Sequence, residues 1–315
     1  MVSKAPSYVK ALKSIAGSTW GASLGATREV YLRMIRPALM YGALLWFRPG
    51  EIVQASKGMA TKLRGIQGKC LRVVAGAYKA TSAEALEAET HVEPLDIHAS
   101  KVAVQAAARN KLSRAYIGIA ARTKRALKGA HKRGPTPRMQ GPFQKLTQWA
   151  EQRTEHPIQR AEGPPEEAQK ADKDTLQRVK EKAKAFYAER WQQRWTAATT
   201  GAHSRRLQPD LNEKAFRRLA GMKRAQSSLV VQLRTGKIGF RAFLYKMKVP
   251  GIEDPLCNSC EDKEEMTVEH VLMKCQRWTR LREECFGRAF RPETTPTLEG
   301  LLGTRKGSLV AARMV

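Results

Sequence analysis

Apolar residues recur at steps of three and four along most of the chain. One stripe passes through Tyr31, Met34, Ala38, Tyr41 and Leu45. Such spacing places the side chains on one face of a helix, whereas a half-buried strand needs strict alternation. No alternation of period two is long enough here to predict a strand. The pattern therefore predicts a mainly α fold.

Helix boundaries are marked by capping and breaking residues. A second stripe predicts a helix that runs from Met59 to about Val74 and is closed by Gly76. Thr81 and Glu84 then have the spacing of a capping box, in which each side chain satisfies a free amide at a helix start. A later stripe continues this helical pattern through residues 176–195.

Interruptions of the pattern divide the chain into five predicted parts. No acidic residue occurs between Asp96 and Glu151, and Gly and Pro interrupt the basic run at 122–138. Such a segment cannot bury much apolar surface. We predict a helical region at 1–117, a disordered basic linker at 118–172, a helical subdomain at 173–250, a small cysteine-containing knuckle at 251–290 and a fraying tail at 291–315.

The charge balance indicates the class of partner. The chain of 315 residues has 57 Lys and Arg against 29 Asp and Glu, which gives a net charge of +28. So basic a chain is typical of proteins that bind nucleic acid. The Asp residues are scattered and no two are adjacent, which disfavours the metal-binding carboxylate sites of nucleases and polymerases. We expect contacts with the phosphate backbone, which RNA and DNA share.

One segment has the residue types and spacing of a metal site: Cys257, Cys260, His270 and Cys275. A C-x-x-C pair can bind one ion from a single turn, and a His and a Cys can complete the tetrahedron. Four N and S ligands leave no open position for water, so we predict one structural Zn²⁺. The alternative is two buried Cys, a spare Cys and a surface His.

The cysteine count and the apolar runs also indicate in which cellular compartment the protein is expected. The number of Cys is odd and the N-terminus lacks the apolar core of a signal peptide, so no disulfide framework is expected. The longest apolar run falls short of the roughly 20 residues of a membrane span. We predict an intracellular protein of the nucleus or cytoplasm that does not bind a membrane.

The basic linker contains candidate phosphate contacts, and two aromatic residues are candidates for base stacking. The spacing of Trp191 and Trp195 favours core positions over stacking on bases. Two basic pairs fit phosphate contacts or a nuclear import signal. These pairs are Lys124 with Arg125 and Lys132 with Arg133.

Several stretches are together similar to one known family. They include Ser18–Ser23, Ile35–Ala43 and Gln67–Thr81 near the N-terminus, and Trp191–Trp195 and Leu233–Gly239 before the cysteine segment. The first group resembles the helical thumb that follows the palm in reverse transcriptases of fungal non-LTR (LINE-type) retrotransposons. The second group, with the cysteine segment, resembles the zinc-binding tail of the same polyproteins.

The resemblance implies a role in binding nucleic acid. In that family the thumb grips the template–primer duplex by its backbone, and the zinc tail engages template RNA or target DNA. The matching basic positions in the N-terminal region are Arg28, Lys62, Arg64, Lys69 and Arg72.

The catalytic signatures of that family are absent from this sequence. There is no Tyr-x-Asp-Asp turn, no carboxylate set of an RNase H and no endonuclease domain. We therefore expect a non-catalytic, nucleic-acid-binding remnant of an RNA-directed DNA polymerase. Two alternatives stay open: a fragment that takes part in reverse transcription with the proteins of a full-length element, and a decayed reading frame without a selected function.

Overall fold

The computed structural model describes residues 5–41, 56–113, 142–261, 263–287 and 297–315. Among these residues, extended pairing is limited to two isolated bridges, Ala16 with Gly21 and Leu256 with Glu265. The predicted mainly α fold is confirmed. The α-helices are α1 Ala5–Ile15, α2 Leu24–Val30, α3 Arg36–Leu39, α4 Ser56–Ala75, α5 Ala83–Thr90, α6 Leu95–Leu112, α7 Pro142–Thr154, α8 Pro165–Thr196, α9 Ala202–Leu207, α10 Glu213–Ala220, α11 Arg224–Thr235, α12 Arg241–Lys246, α13 Thr279–Gly287, α14 Leu298–Gly303 and α15 Arg305–Met314.

Non-α turns interrupt this series at three places. They are the π-helical turns Tyr31–Ile35 and His270–Lys274 and the 3₁₀ turn Gln276–Trp278. The first precedes Pro37, whose ring nitrogen cannot donate a hydrogen bond to the preceding turn. The second belongs to the candidate metal centre.

Two helices end at a glycine, and the sequence predicts the first of these ends. Gly76 follows α4 at φ 63°, and Gly236 follows α11 at φ 65°. These values lie in the left-handed region, which glycine enters without the steric cost that a Cβ atom imposes. The amide of Gly236 donates to the carbonyl of Leu233 over 3.1 Å, which satisfies a carbonyl left free at the helix end.

In place of the predicted capping box, α5 begins with a single side-chain cap one residue later. Ser82 is the N-cap, and its hydroxyl accepts a hydrogen bond from the Ala85 amide over 3.3 Å. Thr81 is buried one position earlier. Serine and threonine are both preferred N-caps, so the sequence alone leaves two adjacent candidates here.

The described residues fall into two compact units. The first comprises the segments Met1–Tyr41, Lys62–Pro94 and Gln192–Val315. Its C-terminal apolar cluster combines residues of α11, of the second π-helical turn and of the last two helices. Buried members of this cluster include Leu233, Val271, Leu272, Leu298, Leu301, Leu302, Ala311 and Met314.

This packing corrects one expectation from the sequence. The tail at 291–315 is predicted to fray, but its described part contains α14 and α15. Thr297 and Thr304 cap these helices by accepting hydrogen bonds from the amides of Gly300 and Gly307, both over 3.0 Å. Burial of Leu301 and Leu302 holds α14 in the apolar cluster.

The described residues of the second unit are 56–61, 95–113 and 142–191. Its apolar cluster joins α6, α7 and the middle of α8. Buried members include Val104, Ala107, Ala108, Leu146, Trp149, Ile158, Val179, Ala183 and Tyr187.

The second unit also corrects the predicted linker. Of the range 118–172, residues 142–154 form α7 and residues from 165 onward belong to α8. The prediction of disorder is wrong for this part, because Leu146, Trp149 and Ala150 form an apolar face on α7. The Gly and Pro residues around this short helix hid its apolar pattern in the sequence. Residues 118–141 lie outside the described residues.

Candidate metal centre and basic residues

A short hairpin supplies two of the four candidate ligands. Leu256 pairs with Glu265 in an antiparallel bridge, and the amide of Cys257 donates to the carbonyl of Glu264 over 2.8 Å. These contacts turn the chain back on itself. Cys257 and Cys260 therefore lie in the loop between the paired segments and present both thiols on one side.

The π-helical turn His270–Lys274 supplies the other two ligands. His270 is its first residue and Cys275 directly follows it. The amide of Cys275 donates to the carbonyl of His270 over 2.7 Å, an i to i+5 contact that brings the two residues together. Val271 and Leu272 are buried in the apolar cluster, so the core fixes the position of the turn.

Two separations between ligand atoms match the edges of a tetrahedral site. The sulfur atoms of Cys257 and Cys275 are 3.8 Å apart, and the Cys260 sulfur lies 3.4 Å from Nε2 of His270. All four atoms lie within 4.8 Å of one another. With Zn–S near 2.3 Å and Zn–N near 2.0 Å, a tetrahedron has edges of about 3.8 Å and 3.5 Å. The residues present fit such an ion, and the predicted set is thus brought together as a cluster that could hold a metal.

A second layer of contacts orients the ligands. Nδ1 of His270 lies 3.1 Å from a carboxylate oxygen of Glu264, an arrangement that leaves Nε2 as the coordinating nitrogen. Burial opposes ionisation of the Cys257 thiol, but hydrogen bonds from the Ser259 amide, His270 and the neighbouring thiols outweigh it and lower its pKa to about 7. A lowered thiol pKa favours the thiolate, the form that binds metal.

Glu269 and the two cysteines outside the cluster have other roles. Glu269 is adjacent to His270 in sequence, yet its carboxylate pairs with Arg206 over 3.2 Å. Cys285 packs at the edge of the apolar cluster. Burial raises the pKa of the Cys70 thiol to about 12, which agrees with the core position that its helical stripe predicts.

Arg28, a predicted phosphate contact, is instead a buried structural residue. Its Nε donates to the carbonyl of Thr90 over 2.7 Å and Nη2 to that of His91 over 2.9 Å. The guanidinium lies 4.1 Å from the ring centroid of Phe216. With these contacts and only 8% exposure, Arg28 is not available to a phosphate. The sequence prediction for this residue is corrected because charge alone does not distinguish a surface arginine from a buried one.

The other four basic positions of this region divide into two pairs. Arg64 forms an ion pair with Glu84 over 3.1 Å, and Arg72 donates to the carbonyl of Thr81 over 3.0 Å. Lys62 and Lys69 are exposed on α4. They are seven residues apart, which places them on one face of the helix. Their contact with phosphate stays a prediction.

The remaining predicted residues are the basic pairs of the predicted linker and the two tryptophans. Lys124, Arg125, Lys132 and Arg133 lie outside the described residues. Trp195 is 2% exposed, and its indole nitrogen donates to the carbonyl of Gln208 over 2.9 Å. Trp191 is buried as well, so both side chains have the core role that the helical spacing favours.

A buried arginine that the sequence analysis did not single out organises the first unit. Nε of Arg234 donates to a carboxylate oxygen of Glu89 over 2.7 Å, with side-chain exposures of 1% and 0%. Nη1 donates to the carbonyl of Leu302, and Nη2 donates to the side-chain oxygen of Gln208. Arg234 lies in the Leu233–Gly239 stretch that carries the family resemblance, where its surroundings assign it a structural role.

No helix among the described residues combines the length and apolar character needed to cross a membrane. Together, the described residues define a helical protein with a Cys₃His cluster. Over 97 residues the chain is 31% identical to a 115 kDa protein of the type-1 retrotransposable element R1DM of Drosophila melanogaster. This similarity supports a retrotransposon origin.

The match covers 31% of this chain and 9% of the Drosophila protein. No protein-family model and no solved structure matches the chain. The thumb, the zinc tail and the fungal source stay predictions from the resemblance.

Proposed function

We propose that this chain is a retrotransposon-derived protein that binds RNA or DNA through the phosphate backbone and contains one structural Zn²⁺. The observation that carries the proposal is a Cys₃His cluster, with all ligand atoms within 4.8 Å of one another, in a chain of net charge +28. The cluster offers thiolate and imidazole ligands, which suit zinc better than they suit oxygen-preferring ions.

Zinc has a folding role in this proposal. Cys257 and Cys260 belong to a hairpin and His270 and Cys275 to a π-helical turn, so one ion ties together two segments that share few backbone hydrogen bonds. All four ligands come from the protein, which leaves no position for a reactive water. The chain is proposed to act by binding, without catalysis of its own, and the proteins of a full-length element are proposed as further partners.

Lys62 and Lys69 are the described residues best placed for backbone contact. Both are exposed on one face of α4, and no acidic residue occurs between Glu51 and Glu84 in the sequence. A phosphate near this face would be attracted by both ammonium groups. Glu84 is paired with Arg64 and therefore offers less opposition to such an anion.

The proposal is tested by fluorescence anisotropy of the whole chain with labelled single-stranded RNA over a series of salt concentrations. Each neutralised phosphate adds about 0.7 to the slope of log affinity against log salt. The Lys62→Gln/Lys69→Gln variant is expected to lower that slope by about 1.4. A chain without affinity at low salt would overturn the proposed function.

A control with the same change in charge is available. Lys173 and Lys184 are exposed on α8, and acidic residues flank them in sequence at Asp172, Asp174 and Glu181. The Lys173→Gln/Lys184→Gln variant is expected to keep the wild-type slope. An equal loss in both variants would show that only total charge matters and would exclude α4 as the contact surface.

A further inference from the structure

The loop between α4 and α5 packs against the residues that surround α12. Its Gly76 carbonyl accepts a hydrogen bond from the Gln232 side chain over 2.8 Å. The ring of Tyr78 contacts that of Phe243, with centroids 5.5 Å apart and the planes tilted by 52°. Phe243 is buried beneath the contact, while Tyr78 keeps 42% of its surface exposed. The tyrosine ring is thus held in place and partly open to solvent.

Two lysines lie at the same place. Nζ of Lys237 is 5.6 Å from the ring centroid of Phe243, within the range of a cation–π contact. Lys246 is exposed and lies three residues after Phe243, on the same side of α12. Burial and the charge of Lys246 both lower the pKa of Lys237. An anion beside Phe243 would be attracted by both ammonium groups.

The sequence around this patch lacks compensating acids. No Asp or Glu occurs between Glu213 and Glu253, or in the stretch before Glu84 that contains Tyr78. Asp254, the next acid after Glu253, forms an ion pair with Arg241 over 3.0 Å. The patch therefore combines positive charge with a fixed, half-exposed aromatic ring.

We propose that Tyr78, Lys237 and Lys246 form a binding point for single-stranded nucleic acid, with an unpaired base stacked on Tyr78 and the adjoining phosphate held between the two lysines. Aromatic rings next to basic groups suit unpaired bases, because bases in a duplex are already stacked on one another. This proposal rests on the proposed function and names a surface that neither the Cys₃His cluster nor α4 supplies.

The test measures affinity of the whole chain for a labelled 12-nucleotide oligothymidylate and for an abasic strand with the same number of phosphates. The wild type is expected to prefer the base-containing strand, and Tyr78→Ala to bind it about fivefold more weakly or worse, in line with the loss of one stacked base. The Tyr78→Ala variant should lose most of that preference, while Tyr78→Phe should keep it.

Matched controls separate stacking from general effects. Tyr245 is 46% exposed and lies two residues after Phe243, on the other side of α12, so Tyr245→Ala should bind like the wild type. The Lys237→Gln/Lys246→Gln variant should lower the salt slope by about 0.7 per phosphate lost. The Lys173→Gln/Lys184→Gln variant should not.

The results distinguish this inference from the proposed function. If the wild type binds RNA but Tyr78→Ala binds both strands like the wild type, the patch is wrong and the function stands. If the wild type binds neither strand, the function itself fails. If polyglutamate competes at the patch as strongly as oligothymidylate, and Tyr78→Ala weakens both equally, the patch binds an acidic protein and the inference is overturned.

Discussion

At the scale of single residues, two buried arginines of the first unit, Arg28 and Arg234, belong to its core and not to its surface. Arg28 donates to the carbonyls of Thr90 and His91, and Arg234 donates to Glu89 and to the carbonyl of Leu302. A guanidinium has five N–H donors in a fixed plane, so it can satisfy several acceptors that helix ends leave free. Such residues join elements that are distant in sequence.

Replacing Arg234 by methionine tests this role. Arg234→Met leaves the buried Glu89 carboxylate without its partner, and the expected cost is about 3–5 kcal/mol in the free energy of unfolding, measured by urea denaturation. The double variant Glu89→Gln/Arg234→Met removes the unpaired charge and should regain part of the loss. Arg217→Met serves as a control, because Arg217 is exposed and should leave stability close to that of the wild type.

A loss below about 1 kcal/mol for Arg234→Met would contradict the assigned role, because removing one partner from a buried ion pair normally costs several times more. Such a result would mean that water reaches the Glu89 carboxylate in solution. The double variant would then be no more stable than the single one.

The sequence could not reveal this pair. Glu89 and Arg234 are 145 positions apart, and each lies in a segment whose neighbours are of mixed polarity. Burial of a charge depends on what packs around it, which composition and periodicity do not encode. The four metal ligands differ in this respect, because they lie within one short segment and their spacing alone predicted the set that the structure brings together.

At the scale of elements, the candidate metal centre is part of the core of the first unit. The π-helical turn His270–Lys274 contributes Val271 and Leu272 to the same apolar cluster as α14 and α15. Among the described residues of the hairpin at 256–265, few backbone hydrogen bonds join its two sides. A bound ion would therefore stabilise this region and the packing of the adjacent helices.

Removal of the metal should loosen this region. We expect a zinc chelator to increase hydrogen exchange at the amides of Cys257 and Cys275 by about a hundredfold, the effect of losing a ligand present at 100 times its dissociation constant. Cys275→Ser should have the same effect without chelator. Cys285→Ser, a cysteine outside the cluster, should not, and unchanged exchange after chelation would contradict a structural metal.

Helix ends and long apolar stripes were predictable, whereas the two short helices of the tail were not. Gly76 ends α4 as the sequence indicates. The helices α14 and α15 have apolar residues at helical spacing, but with six and ten residues they are shorter than the window in which periodicity stands out. The helix α7 was missed because its apolar face is surrounded by breakers.

At the scale of the whole molecule, charge is the dominant property. A net charge of +28 raises the local concentration of polyanions and speeds their association, but by itself it is not selective. Selectivity has to come from fixed groups such as the patch of Tyr78, Lys237 and Lys246. We propose that a bound ion would contribute to binding by stabilising the unit that contains this patch.

The central claim is that a metal-stabilised fold, and not charge alone, binds nucleic acid. The most direct test measures anisotropy of labelled single-stranded RNA with the whole chain at two salt concentrations, before and after zinc chelation and after zinc is restored. We predict steep salt dependence, a marked loss of affinity on chelation and recovery with zinc. Salt-dependent binding whose affinity is unchanged by the chelator would contradict the claim. It would mean that the chain binds through its positive charge alone and that the metal centre has no role in binding.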